Sequence, residues 1–388
     1  MSDRIFVFAE NRSGRNGWAV MRRICCFCES WKSGGIESFL QNVLTRLDLS
    51  RIEVDIVAAQ LENSIFTKEL EERGVRFYEL SGSTRNVLKN AVMFRELLRQ
   101  RQYDLVHFNI FQGLALLYVY IAKREGVPRR IAHSHNTALR KSPTRQLKLL
   151  VHRTASRLFA GAATELWACS EPAARFMFPE KFLRKRGFTF IPNGIDTAKF
   201  RFDPAGRQAA RAELGLEEVL AVGNIGRLCY QKNQDFLLDI FAEILRFKPD
   251  SRLLLIGEGE DRKALEDKAK RLGIIDKTMF LGVRRDAERL FWAMDVFAFP
   301  TRFEGLGIVA VEAQAAGLPI VCSENVPNEV DITPIVRRLD LSDGAGKWAE
   351  TLLSLSRTDK AEDAAALVRR AGFDVADVAR QIESVYLR

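Results

Sequence analysis

Short apolar runs alternate along the whole chain with stretches in which apolar residues recur every three or four positions. The runs have the length and β-branched content of buried strands, and the stretches between them have the period of amphipathic helices. This alternation predicts βαβ units and therefore parallel sheets covered by helices. In the first half of the chain, strands are predicted at 24–28, 54–58, 104–108, 130–133, 166–169 and 188–191.

The second half of the chain repeats the pattern, with helices predicted at 233–247 and 262–271. Strands are predicted there at 220–225, 252–256, 279–281, 296–299 and 320–322. Because a single core stops growing at about 250–300 residues, a chain of 388 residues is expected to form two domains. Pro192, Asn193 and Gly194 supply turn chemistry after the sixth run, so the boundary is placed there. Ligands of doubly wound sheets bind beyond the carboxyl ends of the strands, which places the expected active site in the cleft between the domains.

Composition restricts the class of protein. Hydrophobic residues make up 47% of the chain and charged residues 28%, which is typical of a globular protein and not of a fibrous or disordered one. The longest apolar stretch, at 114–122, is far shorter than the ~20 residues of a membrane-spanning helix. The six cysteines have neither the spacing of a zinc site nor the density of a disulfide scaffold. We therefore expect a cytoplasmic protein, with residues 1–20 as an extension that lacks the apolar block of a secretory signal.

Positive charge is concentrated in the first half. Residues 1–195 hold 31 Lys and Arg against 18 Asp and Glu, whereas residues 196–388 hold 28 against 32. No acid lies between Glu125 and Glu165, and the eight cations there are Arg129, Arg130, Arg140, Lys141, Arg145, Lys148, Arg153 and Arg157. Both a solvated helix face and a patch that binds an anionic membrane surface fit this cluster. The membrane interpretation predicts weak, salt-sensitive binding to anionic vesicles.

Two carboxylates flank a glycine turn in the segment 299–319. Glu304 follows a predicted strand, and Glu312 comes eight residues later within a short predicted helix. Gly305 and Gly307 let the backbone approach a ligand, and the helix N-terminus offers unpaired N–H groups. Because carboxylates only accept hydrogen bonds, this pair suits the hydroxyl groups of a ribose and a hexose.

A carboxylate-lined site would repel a diphosphate unless cations stood nearby. Arg227 and Lys232 flank the loop that follows the strand predicted at 220–225 and opens the next helix. A bidentate guanidinium and a mobile ammonium at one strand edge form a reasonable diphosphate clamp. The alternative interpretation is that this arginine and this lysine are ordinary solvated charges of a surface loop.

Four motifs that occur in order carry a family resemblance. They are Gly34-Gly35-Ile36-Glu37, the Ile-Pro-Asn-Gly-Ile-Asp segment at 191–196, Gly226-Arg227 followed by Lys232, and Glu304 followed by Glu312. Together they resemble the retaining GT-B glycosyltransferases of glycosyltransferase family 4, from near residue 22 to the C-terminus. The segments 133–137, 313–319 and 329–333 are most similar to those of exopolysaccharide and capsule glycosyltransferases. Gly307 stands where capsule-type members often have proline.

The resemblance implies an α/β protein of the GT-B fold, with two Rossmann-like, doubly wound domains facing across a cleft. It implies an acceptor domain at 21–192, a nucleotide-sugar domain at 193–374 and a helix at 375–388 that crosses back to the first domain. The implied activity is retaining transfer of a hexose-type sugar from a nucleotide diphosphate sugar. UDP is the expected nucleotide, and the expected acceptor is a glycan or a lipid-linked molecule. With such an acceptor, the cytoplasmic protein is expected to bind peripherally at the inner face of the membrane.

The resemblance also assigns residues. Arg227 and Lys232 match the diphosphate-binding pair, Glu304 the carboxylate that faces the transferred sugar, and Glu312 the one on the ribose. The remaining donor contacts that it implies are Gly34 and Gly35 at the phosphates, the backbone of Val283 and Arg284 at the base, and Gly305, Leu306 and Gly307 in the glycine turn.

Three of the four histidines, His107, His133 and His135, are associated with predicted strands of the first domain. His135, followed by Asn136, best matches the family's histidine near the anomeric centre, with His133 as its competitor. A histidine satisfied by backbone at a strand end is the structural alternative, most of all for His107. We therefore predict His135, Glu304, Arg227 and Lys232 as the catalytic set.

No Asp-x-Asp motif occurs in the chain, so we predict a metal-independent enzyme whose leaving diphosphate is stabilised by protein cations. No cofactor is expected beyond the nucleotide sugar, which is a co-substrate. Two alternatives follow from the residues: a nucleotide-sugar epimerase of the same architecture, and a nucleic-acid-binding protein that uses the basic first domain. RNP-like aromatics, zinc spacing and a helix-turn-helix signature are absent from the sequence, so a nucleic-acid partner is not expected.

Overall fold

The computed structural model of the protein describes residues 21–32, 34–62, 64–139, 143–355, 357 and 363–388. The predicted extension at 1–20 and two cations of the basic cluster, Arg140 and Lys141, lie outside these residues.

The first sheet is wholly parallel. Its strands are β1 (Arg22–Cys28), β2 (Ile52–Ala58), β3 (Arg76–Glu79), β4 (Leu105–Ile110), β5 (Arg129–Ser134), β6 (Glu165–Ala168) and β7 (Thr189–Phe190). They lie in the order β3-β2-β1-β4-β5-β6-β7. Every residue of β4 is buried, as expected for a parallel strand covered by helices on both faces.

The second sheet is also parallel. Its strands are β8 (Ala221–Ile225), β9 (Arg252–Ile256), β10 (Thr278–Gly282), β11 (Val296–Phe299), β12 (Ile320–Ser323) and β13 (Val336–Leu339). Their order is β10-β9-β8-β11-β12-β13, so the chain reverses direction across the sheet between β8 and β11. In such a sheet the loops that leave β8 and β11 open the crevice in which ligands bind.

Helices connect the strands on both sides of each sheet. They are α1 (Gly35–Leu44), α2 (Thr67–Glu72), α3 (Val87–Arg101), α4 (Leu116–Arg124), α5 (Arg145–Phe159), α6 (Glu171–Met177), α7 (Glu180–Arg186), α8 (Thr197–Phe200), α9 (Pro204–Leu214), α10 (Gln234–Phe247), α11 (Arg262–Arg271), α12 (Ala287–Ala293), α13 (Ile308–Ala315), α14 (Gly344–Ser354), α15 (Ala364–Val368) and α16 (Val375–Tyr386). Two strands, β3 and β13, were not predicted from the sequence.

The last helix packs into the core of the first domain. Asp374 caps its N-terminus by accepting a hydrogen bond from the Ala376 N–H at 3.0 Å. Val378 and Ile382 of α16 are buried in one apolar cluster with Ile24 of β1. The C-terminal helix is therefore part of the first domain, although the second domain precedes it in the chain.

The two chain crossings between the domains lie side by side. Ile195 N–H donates to the Phe373 carbonyl at 2.8 Å, and Val375 N–H donates to the Ile195 carbonyl at 2.8 Å. Gly194 permits this approach, because a Cβ there would lie 2.6 Å from Val375 Cα. The paired crossings are a natural position for a hinge between the domains.

Candidate active site between the two domains

The loop between β11 and α13 carries Glu304, which is only 5% exposed. Lys232 Nζ lies 2.8 Å from Glu304 Oε1, and Thr301 Oγ1 donates to the same oxygen at 2.8 Å. Gln231 Nε2 donates to Glu304 Oε2 at 3.3 Å. Burying a carboxylate is costly unless cations and hydrogen-bond donors compensate for lost water. Glu304 is therefore a fixed, cation-paired acceptor and not a surface charge.

The two cations predicted to form a diphosphate clamp differ in burial and in ion-pair partner. Lys232 is largely buried and bound to Glu304, with its ammonium 5.0 Å from the centre of the Phe299 ring. Arg227 is 59% exposed and pairs with Glu260 at 3.0 Å. Glu304, which the family resemblance assigns to the transferred sugar, forms one ion pair with Lys232. An ammonium has three N–H donors, so Lys232 can hold Glu304 and still donate to a phosphate oxygen.

Glu312 lies on α13, eight residues after Glu304. Burial raises the pKa of Glu312 to about 7, while Lys232 and Lys199 act in the opposite direction. No described side chain donates a hydrogen bond to the Glu312 carboxylate. It therefore differs from Glu304, whose two oxygens both have partners, and its acceptor capacity is available to a ligand.

The glycine turn brings the two domains into contact. A Cβ on Gly305 would lie 2.1 Å from the carbonyl oxygen of His135, so only glycine allows the loops to meet there. Thr137 Oγ1 donates to the Glu304 carbonyl at 2.6 Å, and Ser170 Oγ donates to the Gly305 carbonyl at 2.5 Å. Gly307 has φ +86°, a left-handed conformation that favours glycine, and it starts α13. Leu306, between the two glycines, is buried.

His135 lies at this contact, 9% exposed, with Nε2 3.0 Å from Asn109 Oδ1. Because an amide oxygen only accepts, His135 carries its proton on Nε2 and presents a lone pair on Nδ1. His135 Nδ1 and Asn193 Oδ1 are both buried without a hydrogen bond of normal geometry among the described residues, and the Asn193 side chain lies near enough to the His135 ring to oppose the fall in its pKa. Burial lowers the pKa of His135 to about 3, so the ring is neutral at pH 7. Two buried acceptors in a cleft suit a ligand that supplies hydroxyl donors.

The other two candidate histidines are interior residues. His133 and His107 are fully buried, and His107 Nε2 lies 3.1 Å from His133 Nδ1. The structure thus separates His135, which borders the cleft, from His133, its competitor in the sequence.

The glycine loop after β1 forms the start of α1. Gly34 precedes the helix in extended conformation, and a Cβ there would lie 2.7 Å from Glu37 Oε2. Nothing lies within 4 Å of the Cβ position of Gly35, so its backbone is open to approach. No side chain caps Gly34, and the Glu37 carboxylate of this first turn accepts from the Lys32 N–H and from its own N–H, so an anion bound at this N-terminus would meet a neighbouring carboxylate.

Val283 and Arg284 follow β10. Val283 is 68% exposed, whereas Arg284 donates to Asp286 at 2.8 and 2.6 Å. The hydrogen bond from Arg284 lowers the pKa of Asp286. The guanidinium is thus engaged within its own loop, which leaves the backbone and the apolar side chain of Val283 for a base.

A cavity of about 670 Å³ opens beside Glu304. Its walls come from both domains and consist of Thr137, Glu171, Pro172, Arg175, Glu304 and the loop 324–329. Glu329 Oε1 accepts a hydrogen bond from the Glu171 N–H across the cleft at 2.5 Å. Sequence reasoning missed Thr137 and the loop 324–329 as site residues, since their proximity to Glu304 arises only when the domains face each other.

Two facing Rossmann-like domains, with the site in the cleft between them, define the class of GT-B glycosyltransferases. The family model described as Glycosyltransferase Family 4 matches residues 33–199, and the model described as Glycosyl transferases group 1 matches residues 206–333. The Bacillus subtilis (strain 168) protein EpsF, whose name describes it as a glycosyltransferase, is 31% identical over 339 residues, which cover 85% of this chain and 87% of EpsF. The chain therefore belongs to glycosyltransferase family 4, and the family and fold predicted from its motifs are confirmed.

Two further proteins are similar to this chain. The GDP-mannose-dependent alpha-(1-6)-phosphatidylinositol monomannoside mannosyltransferase of Mycolicibacterium smegmatis is 29% identical over 308 residues, which cover 76% of this chain and 78% of that one. The crystal structure of Anabaena Alr3699/HepE in complex with UDP and glucose superposes with a TM-score of 0.72 over 93% of this chain and 98% of that one, at 22% identity. At that identity the likeness concerns the fold.

None of the helices in the described ranges is long and apolar enough to cross a membrane. Among the same residues, no group of three or more His, Cys, Asp and Glu side chains is arranged to hold a metal ion.

Proposed function

We propose that this glycosyltransferase moves a hexose-type sugar from a UDP-sugar, with retention of configuration, to a glycan or lipid-linked acceptor. The proposed setting is the synthesis of an exopolysaccharide, a capsule or another cell-surface glycan. The observation that carries the proposal is the Lys232–Glu304 ion pair at the domain contact beside His135. HepE bound to UDP and glucose supports the nucleotide, and the phosphatidylinositol substrate in the mannosyltransferase's name supports a lipid-linked acceptor.

The donor's leaving group gains negative charge as the anomeric bond breaks, so preorganised positive groups lower the barrier most. Lys232 has N–H donors beyond the one that Glu304 uses, and Arg227 stands exposed at the rim of the same loop. The uncapped N-terminus of α13 adds N–H dipoles. These groups would hold the diphosphate without a metal ion.

The sugar and the ribose meet different acceptors in this proposal. Glu304 and the Nδ1 lone pair of His135 would accept from hydroxyls of the transferred sugar. Glu312, with a free carboxylate on α13, would accept from the ribose. The backbone at Val283 would lie against the base.

The proposal places the enzyme in the cytoplasm, at the inner face of the membrane that holds its acceptor. Retention of configuration is tested by proton NMR of the product made from an α-linked UDP-hexose. The choice of nucleotide is tested in the same assay by offering GDP-mannose as the rival donor. An α-linked product from the UDP-sugar is expected. A β-linked product, or transfer from GDP-mannose alone, would contradict the proposal.

We expect turnover to survive excess EDTA, because Lys232 and Arg227 supply the charge that a metal would otherwise supply. The measurement is the initial rate of UDP release before and after chelation. Loss of the rate in EDTA, with recovery on adding Mg²⁺ or Mn²⁺, would show that the protein cations are insufficient.

A further inference from the structure

Helix α5 is anchored on one side only. His152, Ala155 and Ser156 form its buried side. His152 Nδ1 accepts from the Gly113 N–H at 2.8 Å, and His152 Nε2 lies 2.9 Å from the Phe176 carbonyl. These bonds fix which face of α5 points to the core and therefore which face points outward.

The outward face is apolar. Leu147 and Leu150 are each 63% exposed, Val151 is 41% exposed and Leu158 is 67% exposed. At roughly 100° per residue, these four positions fall on one stripe that also holds the exposed Thr154 and that borders the buried side at Val151. A helix that meets only water would carry polar residues there. We call these four side chains the leucine face.

Cations border the leucine face on both sides. Lys148 lies on one flank of the stripe, and Arg153 and Arg157 lie on the other, all exposed. No acidic residue occurs between Glu125 and Glu165. An apolar stripe between two rows of cations is complementary to a surface that is apolar within and anionic at its boundary.

We propose that the leucine face of α5 inserts into the surface of an anionic lipid bilayer while Lys148, Arg153 and Arg157 contact the headgroups. Helix α5 belongs to the same domain as His135, which follows β5, so this contact would bring that domain to a membrane that holds a lipid-linked acceptor. The inference deepens the proposed function by naming the membrane as partner, yet lipid binding itself does not depend on the donor.

The test is co-sedimentation with vesicles of phosphatidylcholine and phosphatidylglycerol, alongside vesicles of phosphatidylcholine alone. Changing Leu147, Leu150 and Leu158 together to Gln should weaken binding to the mixed vesicles by about tenfold or more. Changing Lys148, Arg153 and Arg157 to Gln should remove the preference for the mixed vesicles. The matched control is Leu88→Gln with Val92→Gln on α3, where the side chains are 83% and 53% exposed; this variant should bind like wild type.

A second measurement reports insertion directly. All six native cysteines are buried, so Leu150→Cys can be labelled selectively with an environment-sensitive dye. Its emission should shift to the blue on mixed vesicles, whereas the same dye at Leu88→Cys should not respond. Unchanged sedimentation of the triple leucine variant, or a dye that stays in water, would overturn the proposal. The proposal would also be overturned if the wild-type protein formed a dimer without lipid and the triple leucine variant were a monomer, because the leucine face would then be a dimer interface. Lipid binding without UDP-sugar turnover would instead count against the proposed function alone.

A second inference rests on a separate observation, a buried row of polar side chains behind His135. The Tyr386 hydroxyl of α16 lies 2.7 Å from His107 Nδ1, and His107 Nε2 lies 3.1 Å from His133 Nδ1. The His133 ring packs on His135 with centroids 4.0 Å apart. The row therefore runs from the last helix to the cleft.

The geometry assigns Tyr386 and His107 a positioning role. Each neutral imidazole has one donor and one acceptor nitrogen, so the partner of one ring determines the tautomer of the next. The Tyr386 hydroxyl, which can donate or accept, couples to the tautomer of His107, and His107 couples in turn to that of His133, the ring that packs on His135. Removing the Tyr386 hydroxyl leaves a buried ring nitrogen without a partner and frees the row to rearrange.

Tyr386→Phe should lower kcat by about tenfold and leave UDP affinity unchanged, because the row touches the sugar side of the cleft. Tyr103→Phe is the matched control, since the Tyr103 hydroxyl is equally buried and donates to Asp55 at 2.7 Å, outside the row. Imidazole ¹⁵N NMR should show altered tautomers of His107 and His133 only in Tyr386→Phe. If Tyr386→Phe altered the histidine tautomers but left kcat unchanged, the positioning role would be overturned. Equal losses of kcat in Tyr386→Phe and Tyr103→Phe would overturn it as well.

Discussion

Replacing Lys232 with Met should lower sugar transfer by about 10²–10³-fold, the range found when one preorganised donor to a developing anion is removed. Two losses combine in this variant. In the proposed complex the diphosphate loses the ammonium assigned to it, and Glu304 is left buried without the cation at 2.8 Å. Lys232 also lowers the pKa of Glu312, so its removal should push that pKa above about 7. The measurement is kcat and KM for the UDP-sugar, with the melting temperature recorded for each protein.

Lys268→Met is the control for this variant. Lys268 is equally shielded in the same domain and pairs with Asp235 and Asp239 of α10 at 3.0 and 2.8 Å. It should change stability without changing kcat. Equal losses of activity in the two variants would mean that Lys232 serves only the fold.

The second large effect separates the two carboxylates of the segment 304–312. Glu304→Ala should reduce transfer by ~10²-fold or more, equivalent to ~2–3 kcal/mol of transition-state stabilisation, while UDP affinity stays nearly intact. Glu312→Ala should weaken binding of UDP itself, because its free carboxylate is assigned to the ribose. Calorimetry with UDP beside turnover assays measures both. If the two variants lost UDP affinity equally, or if neither lost activity, the assignment of roles would be wrong.

The raised pKa of Glu312 adds a pH dependence to this pair. Below about pH 7 its carboxyl is mainly protonated and has less acceptor capacity, and above that value it is mainly ionised. UDP binding should therefore tighten as the pH rises through about 7. Glu312→Gln should flatten this profile, and Glu304→Gln should leave it in place.

Buried central strands were predictable because their apolar runs are continuous. The strands predicted at 252–256 and 296–299 coincide with β9 and β11. The two missed strands, β3 with sequence Arg-Phe-Tyr-Glu and β13 with Val-Arg-Arg-Leu, lie at sheet edges and are half exposed. Edge strands carry charged residues and short apolar segments, so their hydrophobic signal is weak.

The residue types and their order along the chain were enough to predict that Glu304, Lys232 and His135 belong to one cleft. The sequence could not show that Lys232 would bind Glu304, because that contact joins loops 72 residues apart. Nor could it show that Gly305 faces the His135 carbonyl, which depends on how the two domains meet. Such contacts arise from tertiary packing and have no local periodicity from which to infer them.

The central claim is that the cleft binds a nucleotide sugar, and a thermal-shift panel of UDP- and GDP-sugars in EDTA tests it most directly. A ligand at a hundred times its Kd adds about 2.7 kcal/mol of stability by mass action, enough to raise the melting temperature by ~5 °C. We predict that a UDP-sugar gives this shift with the wild-type protein and that Lys232→Met reduces it. A panel in which no nucleotide sugar raises the melting temperature, or in which Lys232→Met responds like wild type, would contradict the account.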